Sequence, residues 1–293
     1  MADQHLFIFG LGFSATAFVR RARGRYASIS GTVRSAEKAE SLRAEGIDAL
    51  LFDGVVRNDA VTQSLHRATH LVQSIAPGEA GDPALRLYHD DLVAAANLGW
   101  IGYLSTVGVY GDHGGAWVDE TTVPRPVSRR SLERVAAEAD WQDLASARRM
   151  PLAILRLAGI YGPGRNTFVH LAGGTARRLV KPDQVFNRIH VEDIAMVIEA
   201  AAERRASGIF NVTDDEPAPP QDVVAYAAAL AGYPPLPDIP FETATLTPMA
   251  RSFYGENKRV SNNRLIDDLG VTLRYPTYRD ALRALWESQS WRG

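Results

Sequence analysis

The sequence predicts an α/β protein built on a doubly wound parallel sheet, with a smaller, discontinuous C-terminal domain. Short apolar strands alternate regularly with helical segments as far as residue 213, the pattern of parallel strands with helices on both faces. The first strand runs straight into Gly10-x-Gly12-x-x-Ala15 and a helix, a strand-turn-helix suited to a phosphate ligand. The rhythm then breaks: residues 214–248 hold eight of the 16 prolines.

Taken in order, His5 to Phe9 reads as the first strand, Phe13 to Arg23 as helix and Ala27 to Arg34 as a second, partly buried strand. Ala36 to Glu45 is expected as helix, Asp48 to Phe52 as strand, Asp59 to Ala68 as helix, and His70 to Ala76 as a fourth strand closed by Pro77-Gly78. Pro83 to Leu98 reads as a helix with proline in its first turn, and Trp100 to Thr106 as the fifth strand. A long helix, Ser128 to Arg148, leads to a sixth strand, Leu152 to Ala158. After the helix Val191 to Arg204, the strand Gly208 to Thr213 is expected to return to the sheet. The large domain then comprises residues 1–165 and about 189–213, and the smaller one about 166–188 and 214–293.

Composition narrows the classes. The chain has 293 residues, 46% hydrophobic and 23% charged, enough for a sizeable core. Its formal net charge is -2, and the pairs Arg20-Arg21, Arg129-Arg130, Arg148-Arg149, Arg177-Arg178 and Arg204-Arg205 are scattered, so no basic field favours nucleic acid. Cysteine is absent, which excludes disulfides, thiolate catalysis and cysteine metal sites. The start, Met-Ala-Asp-Gln-His, lacks a basic leader and no apolar run reaches the ~18 residues of a membrane helix, so a cytoplasmic location is expected.

The glycine turn carries the first chemistry. Gly10 permits a tight turn, Gly12 lets a pyrophosphate approach the backbone, and Ala15 lets helix and strand pack closely while the helix N-terminus faces the phosphates. Phe13 and Ser14 complete this dinucleotide cradle, with Ser74, Ala76, Ala158 and Ile160 expected along the cofactor from later strand ends. Arg34 stands where an NAD-specific site places a carboxylate for the ribose 2′-hydroxyl. A guanidinium followed by Ser35 suits a 2′-phosphate, which favours NADP over NAD and leaves NAD as the alternative. Asp53 ends the third strand and is expected either to accept from the adenine amino group or simply to start a loop.

The fifth strand ends in Ser105-Thr106-Val107-Gly108-Val109-Tyr110-Gly111, a hydroxyl pair at the sheet edge where ligands bind. From here the chain resembles the extended and atypical short-chain dehydrogenase/reductase family, which includes NAD-dependent epimerases and dehydratases of nucleotide sugars on a Rossmann sheet. The resemblance extends through Leu155 to Gly164, Arg188-Ile189-His190-Val191-Glu192-Asp193-Ile194-Ala195 and Lys258-Arg259-Val260-Ser261-Asn262. It implies that Thr106 hydrogen-bonds substrate, with Ser105 and Tyr110 beside it. The short G-x-G-x-x-A departs from the family's usual three glycines.

A larger departure lies in the long helix. Anchored on Glu138, Arg134 takes the position of the family lysine and Arg130 that of the catalytic tyrosine. Arg134 retains the charge that would hold the nicotinamide ribose. Arg130 cannot act as a base, because a guanidinium stays protonated and has no acceptor lone pair. Tyr254-x-x-x-Lys258 repeats the spacing but follows the proline-rich region, away from that helix. Tyr110 and Tyr161 are, with Thr106, the candidates for chemistry near the nicotinamide, although both more often pack in relatives; His190 is expected to be structural, and Asp193 to sit in a helix first turn. No metal-ligand spacing is seen.

Two functions follow from this pattern. One is an NADP-dependent oxidoreductase or epimerase/dehydratase acting on a hydroxyl- or carbonyl-bearing small molecule such as a nucleotide sugar. The other is a non-catalytic NADP-binding sensor or interaction protein. The resemblance also implies a possible homodimer through Pro83 to Leu98 and Ser128 to Arg148, with no nucleic acid or membrane partner.

Overall fold

The computed structural model describes residues 4–293; Met1, Ala2 and Asp3, on which part of the expected location rested, lie outside the described residues. The first half runs β1 (His5–Phe9), α1 (Phe13–Arg21), β2 (Ser28–Val33), α2 (Ala36–Ala44), β3 (Asp48–Leu51), α3 (Asp59–Arg67), β4 (His70–Gln73), α4 (Pro83–Ala94), β5 (Trp100–Thr106), β6 (Trp117–Val118) and α5 (Arg129–Ala147). It continues through β7 (Leu152–Leu157), β8 (Gly159–Tyr161), α6 (Thr167–Ala172), β9 (Arg178–Val180), β10 (Arg188–His190), α7 (Val191–Arg204) and β11 (Gly208–Val212). The last part holds α8 (Pro220–Leu230), β12 (Asp238–Pro240), α9 (Pro248–Phe253), β13 (Arg259–Val260), α10 (Asn263–Asp267) and α11 (Tyr278–Glu287).

Seven strands form one sheet in the order β11-β7-β5-β4-β1-β2-β3, every neighbouring pair parallel. The chain winds outward from β1 through β2 and β3, then restarts at β4 on the other side. That reversal opens a crevice beyond the carboxyl ends of β1 and β4.

Alternation along β1 sorts the core. Leu6 and Ile8 pack with Phe18 and Val19 of α1 and Ile194 and Ile198 of α7. Phe7 and Phe9 face the other way, onto Leu65, Tyr88 and Trp141 of α3, α4 and α5. A third core, away from the sheet, joins Phe168, Val223, Ala227, Tyr278, Leu282 and Trp291.

Three local features differ from the sequence expectation. β4 stops at Gln73 rather than Ala76, because the buried Gln73 side chain accepts from Ile75 N (3.1 Å) and turns the chain. α4 ends at Ala94 rather than Leu98 and breaks at Tyr88 (φ -126°, ψ 17°), whose hydroxyl accepts from Asn58 N (2.8 Å). Val260, Leu265, Leu269 and Val271 join the sheet's core, although residues 214–293 were all expected in the smaller domain. They cover the edge strand β11, where Arg264 donates to Ile209 O (2.8 Å) and lies 4.9 Å from the Phe210 ring centre. Among the described residues, no helix is long and apolar enough to cross a membrane.

Candidate cofactor and substrate site

The turn between β1 and α1 is shaped by its two glycines in different ways. Gly10 has φ +85°, and a Cβ there would lie 2.8 Å from Ile75 Cγ1. Its amide donates to Thr32 Oγ1 (2.8 Å) and the Leu11 amide to Thr32 O (2.8 Å), which ties the turn to β2. Gly12 has ordinary extended geometry, and a Cβ there would meet nothing within 4 Å. It caps α1 without a side-chain hydrogen bond, so the first amides of α1 have no side-chain partner. Ser14 and Ala15 are buried in the packing of α1, whereas Phe13 is 38% exposed.

At the end of β2, Arg34 is exposed and makes no hydrogen bond or ion pair among the described residues. Ser35 caps α2, accepting from Lys38 N at a long 3.4 Å. Arg34, Phe52, Asp53, Arg57 and Asn58 line a shallow cleft of about 580 Å³. Arg57 is committed elsewhere, to Asp91 Oδ2 (2.7 Å) and Leu87 O (2.7 Å). Arg34 is therefore the free cation of this cleft among the described residues. Asp53 is exposed and starts a loop: its Oδ1 accepts from Val55 N (2.8 Å) and Val56 N (3.2 Å), which holds its carboxyl below the usual range. Further along the crevice, Ser74 N donates to Phe9 O (2.9 Å) and Ala158 N to Val212 O (3.0 Å). The Ala76 side chain is exposed, Ala158 is buried, and Ile160 is half-buried in β8.

Beyond β5 the fifth-strand hydroxyls part company. Thr106 is half-exposed, and its Oγ1 accepts from Gly108 N (3.1 Å). The first turn of α5 lies alongside, since a Cβ on Gly108 would be 3.1 Å from Ser131 Oγ and 3.4 Å from Thr106 Oγ1. One turn further on, Arg134 donates to Leu104 O (2.8 Å) and to the Tyr103 hydroxyl (3.2 Å).

Ser105 and Tyr110 do not join Thr106, which corrects their expected place beside the substrate. Strand alternation turns Ser105, 4% exposed, toward α5, where its hydroxyl donates to Glu138. Glu138 in turn holds Arg156 at 2.7 and 3.1 Å, both residues being nearly fully buried. The Arg156 guanidinium lies 4.8 Å from the Tyr110 ring centre, and the fully buried Tyr110 hydroxyl donates to Asn211 Oδ1 (2.7 Å). Burial pushes the Tyr110 phenol up, opposite to what a proton donor at neutral pH requires.

The remaining candidates are structural. His190 is the N-cap of α7, its Nδ1 accepting from Glu192 N (3.3 Å), and burial with help from Arg274 lowers it to about 4. Its ring meets that of Tyr161 edge-on at 5.4 Å, and burial raises the Tyr161 phenol far above its usual range. Asp193, in the first turn of α7, accepts from Arg274 N (2.7 Å) and Tyr275 N (3.2 Å), and burial raises it to about 6. Tyr254 stacks on Phe241 (4.8 Å) and Lys258 donates to Gly111 O (2.8 Å), so that pair serves the loops around β13.

Two arrangements escape sequence reasoning. Buried Asp82 caps α4 and also takes Gln73 Nε2 (2.7 Å) and Trp141 Nε1 (3.0 Å), of which only the cap has a local signal, an aspartate before Pro83. Arg130 on α5 lies 5.4 Å from the ring centre of Phe253 on α9, 123 residues away by the difference of their numbers.

Comparison with known proteins agrees with this fold. A structure of a functionally unknown conserved protein from Silicibacter pomeroyi is 49% identical, with 98% of this chain and 99% of that one covered and a TM-score of 0.89. Protein YeeZ of Escherichia coli K12 is 29% identical over 287 residues, 92% of this chain and 95% of YeeZ. The 3-diazoavenalumate denitrifying reductase of a Streptomyces species is 32% identical over 164 residues, 52% of this chain and 49% of that protein. Residues 10–213 match the sequence profile of the NAD dependent epimerase/dehydratase family. The chain belongs to that NAD-dependent epimerase/dehydratase family.

Proposed function

We propose that the chain binds NADP along the carboxyl edge of the sheet and transfers hydride to or from a hydroxyl- or carbonyl-bearing small molecule, such as a nucleotide sugar. The observation that carries this is the pairing of a bare Gly12, at an α1 N-terminus without a side-chain cap, with an unpaired Arg34 at the end of β2. The first fits a pyrophosphate and the second a ribose 2′-phosphate, which the planar guanidinium meets with two parallel N–H bonds. The presence of a reductase among the relatives supports hydride transfer.

When bound, the nicotinamide supplies or accepts the hydride. The chain's own part is positioning. Thr106 Oγ1 already accepts from Gly108 N, so its O–H remains to donate to a substrate oxygen. Arg134 keeps part of its guanidinium edge for the ribose after bonding Leu104 O and Tyr103. Neither arginine delivers a proton, so the substrate oxygen exchanges its proton with water or with a group of the substrate itself. A small-molecule partner and a cytoplasmic setting belong to the same proposal. So does a dimer across the groove of α4 and α5, where Val93 is exposed among Arg86, His89, Asp140 and Asp143.

The locking of Ser105 and Tyr110 into a buried network favours a second reading, a non-catalytic NADP-binding sensor or interaction protein. NADPH oxidation against a panel of aldehydes, ketones and sugar nucleotides, run beside NADPH binding, separates the two. Turnover that falls in Thr106→Ala supports the enzyme, whereas tight binding with no turnover supports the second reading. Absence of NADP(H) binding sinks both.

A further inference from the structure

We propose that Arg130 is a substrate-binding residue that takes an anionic oxo group, a carboxylate or a phosphate, with Phe253 as the apolar wall beside it. This rests on the function proposed above and adds the chemical class of the substrate group.

The position of Arg130 is fixed by its neighbours. Ser131, the next residue, lies against the Thr106–Gly108 turn, and Arg134, one helical turn on, is anchored to Leu104 O at the end of β5. Arg130 therefore stands at the carboxyl edge of the sheet, on the face of α5 that carries Arg134. Its ring contact reaches α9, a short helix with no buried residue. Phe253 is 55% exposed and Met249 60% exposed on that helix. An arginine and an aromatic side chain from two separate segments thus meet near the carboxyl edge of the sheet.

The charge of Arg130 is unspent. Arg129, its neighbour, is neutralised by Glu133 (2.8 Å) and Glu79 (2.7 Å), which also occupies the acid three residues beyond Arg130. Arg130 makes no ion pair and no hydrogen bond among the described residues; its guanidinium carbon lies over the Phe253 ring, 5.4 Å from the centre. With none of them hydrogen-bonded among the described residues, its in-plane N–H donors match a carboxylate or phosphate edge. Because Arg130 is exposed, an arriving anion finds a cation whose desolvation is cheap, with Arg134 adding a second positive charge one turn away. A guanidinium has donors and no acceptor lone pair, so Arg130 binds and orients the anion and does not serve as a base.

The test is isothermal titration calorimetry on the full chain saturated with NADP, using 3-phenylpropanoate, phenyl phosphate and the neutral 3-phenylpropanamide as probes. At least one anion is expected to bind about tenfold or more tighter than the amide, the scale of one charge-assisted pair. Whichever anion binds identifies the group as carboxylate or phosphate. Arg130→Gln is expected to lose that preference with NADP affinity unchanged, Arg130→Lys to keep part of it, and Phe253→Ala to weaken acid and amide alike. Equal binding of anion and amide, unchanged anion binding in Arg130→Gln, or no anion binding while NADP binds would overturn the assignment. Failure of NADP itself to bind would count against the cofactor site instead.

Discussion

Substitution of the two cradle glycines separates folding from ligand binding. At Gly10, an alanine must adopt φ +85° and place its Cβ 2.8 Å from Ile75 Cγ1. The left-handed backbone costs roughly 1–2 kcal/mol and the overpacking roughly 1–3 kcal/mol, so Gly10→Ala is expected to lose about 2–5 kcal/mol of stability. At Gly12, φ is -83° and a Cβ meets nothing within 4 Å, so Gly12→Val is expected to stay within about 1 kcal/mol of the parent. The valine does fill the approach to the α1 amides, and NADPH affinity is expected to fall by about 100-fold or more, roughly 2.7 kcal/mol. Urea unfolding and calorimetric NADPH titration of both variants read the two effects. Normal NADPH binding by Gly12→Val, or unaltered stability of Gly10→Ala, would refute the geometry assigned to this turn.

Removing Glu138 strands the buried Arg156, so Glu138→Ala is expected to cost about 3–5 kcal/mol in urea unfolding, most of it recovered when Arg156→Met is added to Glu138→Met; a cost below about 1 kcal/mol would show that the pair is not buried as described. His190 is held at about 4 against a usual 6.5, so it favours the folded state above pH 6.5 and that contribution is lost as pH falls toward 4. Asp193, raised to about 6 from 3.8, works the other way: its ionisation costs stability as pH rises from about 4 to 6. Site-resolved NMR titration is expected to find His190 neutral at pH 5 and Asp193 half-ionised near pH 6; ordinary midpoints for both would contradict their burial.

Periodicity made the sheet legible. Trp100 to Thr106 and Val191 to Arg204 form with the expected bounds, because each is a continuous run with clear punctuation at its ends. The turn between β1 and α1 was readable for the same reason: Gly10, Gly12 and Ala15 act locally. Local pattern does not show which side of a strand meets a distant partner. Ser105 and Tyr110 stand beside Thr106 in the sequence motif, yet Glu138 claims the first and Asn211 the second. His190 read as structural, but its capping of α7 emerged only with the helix geometry. Phe253 was invisible as a partner of Arg130, since α9 is six residues long, buries none of them and lies far along the chain.

The central claim is that Arg34 reads a 2′-phosphate at the end of the cofactor whose pyrophosphate rests on α1. Calorimetric titration of NADPH and NADH into the wild type and Arg34→Asp tests it most directly. The wild type is expected to prefer NADPH by about tenfold or more, and Arg34→Asp to weaken NADPH by about 30-fold or more while leaving NADH nearly unchanged. Equal affinity of the wild type for both cofactors, or equal weakening of both in Arg34→Asp, would contradict it.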